Sequence, residues 1–293
     1  ATIAKSTAVY PNGFIASLGV TSSSAYSLSS TEYFGLQQPV EGLNISDLAW
    51  GTANAKTVTL SFWVRSSLTG TFGGSLRNSA VTRSYPFSYT ISSADTWEQK
   101  SITIAGDTTG TWLTTNGVGI FVHFALGAGS TLSGSAGSWA GANYLSATGA
   151  TSVVGTSGAT FYITGVQLEE GNAATSFEFR DYGRELVMCQ RYYYKSPQQA
   201  NGEGFITYQA TGGWTGTTCF PVTMRATPTM TYGHTSPYAG NTFLRVDTGG
   251  TITVTLGQHL VSVSRVMTIY DGGKSSIPLG TNFSTYLTAS AEL

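Results

Sequence analysis

The sequence predicts an all-β protein: an N-terminal antiparallel jelly-roll sandwich, a short charged junction with one helix, and a small C-terminal antiparallel β-domain. Three observations carry this. Thr, Ser and Gly make up 115 of the 293 residues, and β-branched and aromatic residues fill most of the apolar share, the composition that strands favour. Segments of strict two-residue alternation recur between turn-rich stretches, whereas only one short stretch reads as a helix. At 41% hydrophobic and 12% aromatic, the chain has enough apolar surface for a sizeable core, which argues against disorder. Because single cores seldom grow beyond roughly 250 to 300 residues, the length favours two domains. Their expected bounds are 1–180 for the jelly roll, 181–195 for the junction and 196–293 for the second domain.

Thr57 to Arg65 alternates strictly, with Val58, Leu60, Phe62 and Val64 on one face and Trp63 and Arg65 on the other. Ser84 to Ile91 and Trp97 to Ile104 are the next strands, joined through Ser92–Asp95 by Ser and Asp turn chemistry. Gly117 to Gly127 directs Val118, Ile120, Val122, Phe124 and Leu126 inward and Phe121 and His123 outward. The stretch from Gly127 to Gly158 is almost pure small residues around Trp139 and Tyr144, and reads as loops or loops around short strands. In Ala159 to Leu168 the inward parity passes from Phe161 and Ile163 to Val166 and Leu168, so a β-bulge is expected near Gly165.

Nine of the 29 charged residues then crowd into Glu169 to Lys195. Tyr182 to Gln190 is the one plausible helix, and at about nine residues it is marginal unless it packs on something. Strands are expected again at 204–210, 217–224, 229–232, 242–247, 251–256 and 261–270, with Asp247–Gly250 and Asp271–Lys274 as hairpin turns.

Composition excludes several functions. With 14 basic against 15 acidic residues and only 10% charged, the chain has no basic patch for nucleic acid. No apolar run approaches the roughly 20 residues that span a bilayer, so no membrane insertion is expected. The three His, at 123, 234 and 259, do not fall in metal-ligand spacing with Cys or carboxylates, and no cofactor fingerprint appears. Adjacent Glu169 and Glu170 would point to opposite faces of a strand rather than converge as a glycosidase pair. A depolymerase would need distant carboxylates such as Glu32, Glu41, Asp95 and Asp107, and the expectation is a protein that is not an enzyme. Cys189 and Cys219 are expected to be free thiols.

The segment from Tyr162 to Tyr194 resembles a module of tailed-bacteriophage virion proteins, especially tail-fibre-like and appendage proteins. The matching pieces are Gly165 to Gly171 (GVQLEEG), then Ala174, Thr175, Phe177, Glu178 and Arg180, the pair Glu185 and Leu186, and Cys189 to Tyr193 (CQRYY). Val40 to Ser67, Thr96 to Trp112 and the final Ala291 to Leu293 look similar to the same group. The resemblance implies a carbohydrate-binding-module-like jelly roll followed by a small β-domain. It also implies a structural and adhesion protein on the particle surface, assembled in the host cytoplasm, whose partners are its own copies in a homotrimer, other virion proteins and host-surface polysaccharide. A head decoration or capsid fibre without a glycan role is the alternative on the particle. A carbohydrate-binding module of a larger secreted enzyme is the alternative off it.

Glycans stack on aromatic faces while polar neighbours satisfy their hydroxyls. Trp63, Arg65 and His123 share the non-core parity of their strands and would line one surface of the sheet, unless another layer covers them. The concave face of a jelly roll is where related modules often hold glycans. Trp139 and Tyr144 are the other ligand-binding candidates, Trp139 being either an exposed platform or a plug for the sandwich end. Trp97 and Trp112 are expected to close an edge. Phe177 and Phe179 are expected as apolar anchors of the segment leaving the jelly roll at Gly171. The oligomer junction is expected at Arg180, Arg184, Glu185, Leu186, Arg191 and Tyr193, because consecutive Tyr192, Tyr193 and Tyr194 present rings to both faces of an extended segment.

Overall fold

The structure, a computed structural model, describes residues 1–195, 206–209, 213–233, 242–244, 251–253, 255–261, 265–271 and 286–292. The chain divides into two units, Ala1–Phe179 and Arg180–Glu292.

In the first unit the strands are β1 (Thr2–Ser6), β2 (Ser17–Thr21), β3 (Tyr33–Glu41), β4 (Val58–Ser66), β5 (Gly70–Arg77), β6 (Ser84–Ile91), β7 (Glu98–Ile104), β8 (Val118–Ala128), β9 (Ser133–Gly134), β10 (Ser146–Ala147) and β11 (Thr160–Glu170). They build two antiparallel sheets, β1-β2-β11-β4-β7 and β3-β8-β5-β6. The alternating apolar residues face each other between the sheets: Val58, Leu60, Phe62 and Val64 are fully buried, as are Phe72, Leu76 and Ile120. Phe62 meets Phe124 of the other sheet edge to face at 4.9 Å, a geometry that places the positive ring edge on the negative face. This is an all-β, jelly-roll-like sandwich.

The bulge expected in β11 is present: its pairing with β4 shifts between Thr164 and Gln167. Gly165 adopts φ +59°, and a Cβ there would lie 2.6 Å from the Phe14 ring. Both the left-handed backbone and the close approach require glycine.

Strands β1, β2, β3 and β5 were not expected from the sequence, and the last two break alternation. β3 carries Gly35 and Pro39, and Pro39 is tolerated because β3 is an edge strand of its sheet. β5 reads GTFGGSLR and is buried from Phe72 to Arg77 on both faces, so no polar face marks it. Its glycines admit neighbours: a Cβ on Gly73 would meet Ser146 Oγ at 2.4 Å, and one on Gly74 would meet the Phe87 ring.

In the second unit, helix α1 (Tyr182–Gln190) has the expected bounds. Asp181 caps it by accepting from the Arg184 amide at 3.2 Å. Next come β12 (Tyr193–Lys195), β13 (Ile206–Gln209), β14 (Gly213–Cys219), β15 (Thr229–Gly233), β16 (Thr242–Leu244), β17 (Thr251–Thr253), β18 (Thr255–Val261), β19 (Arg265–Asp271) and β20 (Tyr286–Ser290). They pair as β12-β20-β15, β13-β14-β19-β18 and β16-β17. The strand expected at 217–224 lies instead at Gly213–Cys219, β20 was not expected, and the turns at Asp247–Gly250 and Gly272–Lys274 lie outside the described residues. Phe220, Met224, Ala289 and Ala291 form a small core that Tyr194 packs against.

Candidate polar site on the four-stranded sheet

The site grows from one row of cross-strand neighbours. Antiparallel register places Gln37 of β3 and Ser75 of β5 on either side of His123 of β8, with Phe121 beside Arg77 one pair further on. Residues directly opposite in such a ladder point to the same face, here the face turned away from the core. His123 is 1% exposed, Ser75 0% and Arg77 5%.

The surroundings explain this burial. The small-residue segment after β8 folds back along β6, where Ser84 and Ala140 exchange backbone hydrogen bonds. It then crosses β6 and β5: Ser84 Oγ donates to the Ala142 carbonyl at 2.7 Å, and the Tyr144 amide donates to Ser84 Oγ at 3.2 Å. Asn143 is thereby delivered to the sheet face, where its Oδ1 accepts from Arg77 Nη1 at 2.7 Å. Gln37 Oε1 accepts from Arg77 Nη2. On the β3 side, Tyr33 meets the His123 ring edge to face at 5.8 Å, and Gly35 leaves room for that ring, since a Cβ there would lie 2.3 Å from His123 Nε2. Tyr33 and Gln37 are exposed, and Phe121 and Asn143 are half-buried, so the cluster reaches the surface along β3 and β8.

Among the described residues, five buried side-chain polar atoms have no hydrogen-bond partner, and four sit here: Ser75 Oγ, Arg77 Nε and both ring nitrogens of His123. Each such group costs about 1–3 kcal/mol when left unpaired. Burial, reinforced by the Arg77 charge, lowers His123 to about 3, so the imidazole is neutral at physiological pH. Burial also lowers Arg77 from its usual value. The arrangement sets buried hydrogen-bond donors and acceptors beside two aromatic rings, Tyr33 and Phe121.

The other expected ligand-binding residues lie elsewhere. Trp63, Arg65 and His123 were expected on one surface, but β4 and β8 belong to opposing sheets, so Trp63 and Arg65 occupy the outer face of the five-stranded sheet. Arg65 pairs there with Asp95 at 3.1 Å and lies over the Tyr162 ring, itself 6.4 Å from Trp97. Trp139 is a plug: it packs edge to face on Trp50 and Trp112, both at 5.3 Å, and its Nε1 donates to the Ala105 carbonyl at 2.7 Å. Trp112 closes the same end, whereas Trp97, half-buried just before the edge strand β7, packs near Tyr162. Tyr144 follows Asn143, but its ring lies over Gly134.

The four carboxylates weighed for chemistry do not converge: Glu32 accepts from Tyr26 and Ser29, Asp95 pairs with Arg65, and Asp107 receives a two-pronged contact from Arg83 at 2.7 and 2.8 Å. Glu41 is buried. Among the described residues no group of His, Cys, Asp or Glu is arranged to hold a metal ion. Arg180 pairs with Glu185 at 3.6 Å, whereas Leu186 and Tyr193 are 40% and 44% exposed. Arg184 is exposed and Arg191 half-buried. Sequence reasoning missed Tyr33, Gln37, Ser75, Arg77 and Asn143, because β3 and β5 show no alternation and Asn143 sits in a loop.

No family model matches the chain, and no curated protein matches it. Among solved structures it is similar to one described as "CBM4 structure and function", at 13% identity and a TM-score of 0.31, covering 57% of this chain and 88% of that one. It is also similar to "Crystal structure of PBSX exported protein XepA", at 11% identity and a TM-score of 0.19, covering 92% of this chain and 85% of that one. Likeness at this level assigns no ligand, and the architecture above rests on strand pairing alone.

Proposed function

We propose that this chain is a structural and adhesion protein of a tailed-phage appendage, and that its first unit holds a host-surface glycan on the outer face of the β3-β8-β5-β6 sheet. One observation carries the glycan reading: the unpartnered polar cluster of Ser75, Arg77 and His123, flanked by Tyr33 and Phe121. Sugar hydroxyls that displace the exposed Gln37 would pair those buried groups, while the rings pack against the pyranose. The appendage reading rests on the resemblance of Tyr162 to Tyr194. Self-association into a homotrimer is supported by the apolar side chains of α1, of which Leu186 and Val187 are 40% and 50% exposed in the single chain.

The test has two arms. Gold-labelled antibody against the chain should mark appendages in electron micrographs of the particle, and labelling confined to the head would refute the assignment. Calorimetry with polysaccharide extracted from the host should show binding that Tyr33→Ala and Phe121→Ala weaken by tenfold or more at unchanged melting temperature. Loss caused instead by Trp63→Ala or Trp97→Ala would move the site to the opposite sheet.

A further inference from the structure

The charge of the cluster points to a class of glycan, an inference that rests on reading this face as the glycan site. Arg83 and Arg65, with side chains 19% and 23% exposed, each have a carboxylate partner, Asp107 and Asp95. Arg77 is more deeply buried than either, yet among the described residues its guanidinium meets only neutral amide oxygens, from Gln37 and Asn143, and its Nε meets none. A buried cation without a counter-ion is costly, and Glu at position 37 or Asp at 143 would have supplied one with the same heavy-atom shape. The protein instead places amides there, which hold the planar fork in orientation without neutralising it.

We propose that this face selects an acidic sugar, whose carboxylate or phosphate takes Arg77 in place of the Gln37 and Asn143 amides. Both anions match the guanidinium fork with two parallel hydrogen bonds, roughly twice as strong as neutral ones. Gln37 is the movable member, because it is exposed on an edge strand. Behind it, the Ser75 hydroxyl and the neutral His123 ring stand buried and unpaired in the same cross-strand row, so a sugar oxygen reaches them only where Gln37 has moved aside. Arg77 also lies over the Phe121 ring at 5.5 Å, so a sugar packed against the exposed part of Phe121 has its substituent near the guanidinium.

The experiment is a glycan array probed with the full chain, carrying oligoglucuronates, oligogalacturonates and oligomannuronates, their carboxyl-reduced neutral counterparts, and mannose 6-phosphate oligosaccharides. Binding confined to acidic members is expected, with the uronate and phosphate arms telling the two anions apart. Equal binding of an acid and its reduced form overturns this inference but leaves the glycan site standing, whereas no binding to any glycan overturns both. On the tightest ligand, Arg77→Gln should erase the preference for acid over neutral form. Gln37→Glu, which adds the missing counter-ion at an exposed position, should weaken acid binding at least tenfold in a folded protein. Unchanged acid binding by Gln37→Glu would overturn the inference even if Arg77→Gln does not fold.

Discussion

His123 is fully enclosed, and its neutrality has a measurable consequence. Its folded pKa of about 3 lies far below the ordinary value near 6.5, so the unfolded chain takes up a proton that the folded one refuses. The stabilisation is complete above pH 6.5 and is lost as pH falls toward 3, at up to about 1.4 kcal/mol per pH unit. Burial raises the carboxyls of Glu98, Asp107 and Glu169, but hydrogen bonds from Lys100, Arg83 and Thr175 outweigh it and hold them low, so their contribution is lost only in more acid solution. Melting temperatures recorded from pH 7 to 5 should fall for the wild type and fall less for His123→Gln; parallel curves would show that His123 accepts a proton in the fold. Val81 is strained in another way, since a β-branched residue at φ +50° crowds its own backbone. The turn cannot relax, because Asn78 Oδ1 accepts from the amides of Thr82 and Arg83. Val81→Gly should stabilise the unit by about 1 kcal/mol, read as a higher melting temperature; a lower one would mean the Val81 side chain contributes more by packing than its backbone costs.

Strand β11 and helix α1 bracket the segment that carries the phage resemblance, and physics explains its residues. Gln167 and Glu169 share one face of β11, where Glu169 accepts from the Thr175 amide and hydroxyl at 2.8 and 2.7 Å and Gln167 Oε1 accepts from the Glu178 amide at 2.9 Å. The strand's own side chains thus catch the chain after it turns away at Gly171, φ +129°. Phe177 and Phe179 then close on Phe14 at 5.3 and 5.4 Å. Helix α1 has no buried residue, and nine residues cannot hold a helix in water unaided. If copies of the chain cover it, Leu186→Asp should place an unpaired charge in that contact and dissociate the assembly, a cost of several kcal/mol. Light scattering behind size exclusion reads this directly. A monomeric wild type, or a variant that assembles normally, would remove α1 from the interface.

At the scale of the whole molecule, each unit has its own core. That of Ala1–Phe179 joins both sheets through Phe62, Phe72, Phe124 and Phe161 and is sealed at one end by Trp50, Trp112 and Trp139. A fragment of residues 1–179 should therefore melt cooperatively at a temperature close to that of the first unit in the full chain; a fragment lacking a cooperative transition would show that the core is incomplete. The second unit contains both cysteines, which are free and exposed. Two equivalents of a thiol reagent should react with the native, unreduced protein, and fewer than two would contradict their exposure.

Local order was legible in the sequence because its causes are local. Val58, Leu60, Phe62 and Val64 alternate since β4 has one face on the core, the parity change around Gly165 marks a real bulge, and Tyr182 to Gln190 forms the helix expected there. What the sequence could not determine is which strands become neighbours. That choice put Trp63 and His123 on opposite faces of the sandwich, covered β5 on both sides so that its glycines left no pattern, and carried Asn143 across 66 positions of chain to Arg77. Pairings at such separations are decided by the fit of whole surfaces in the folded state, and alternation within one strand carries no record of its partner.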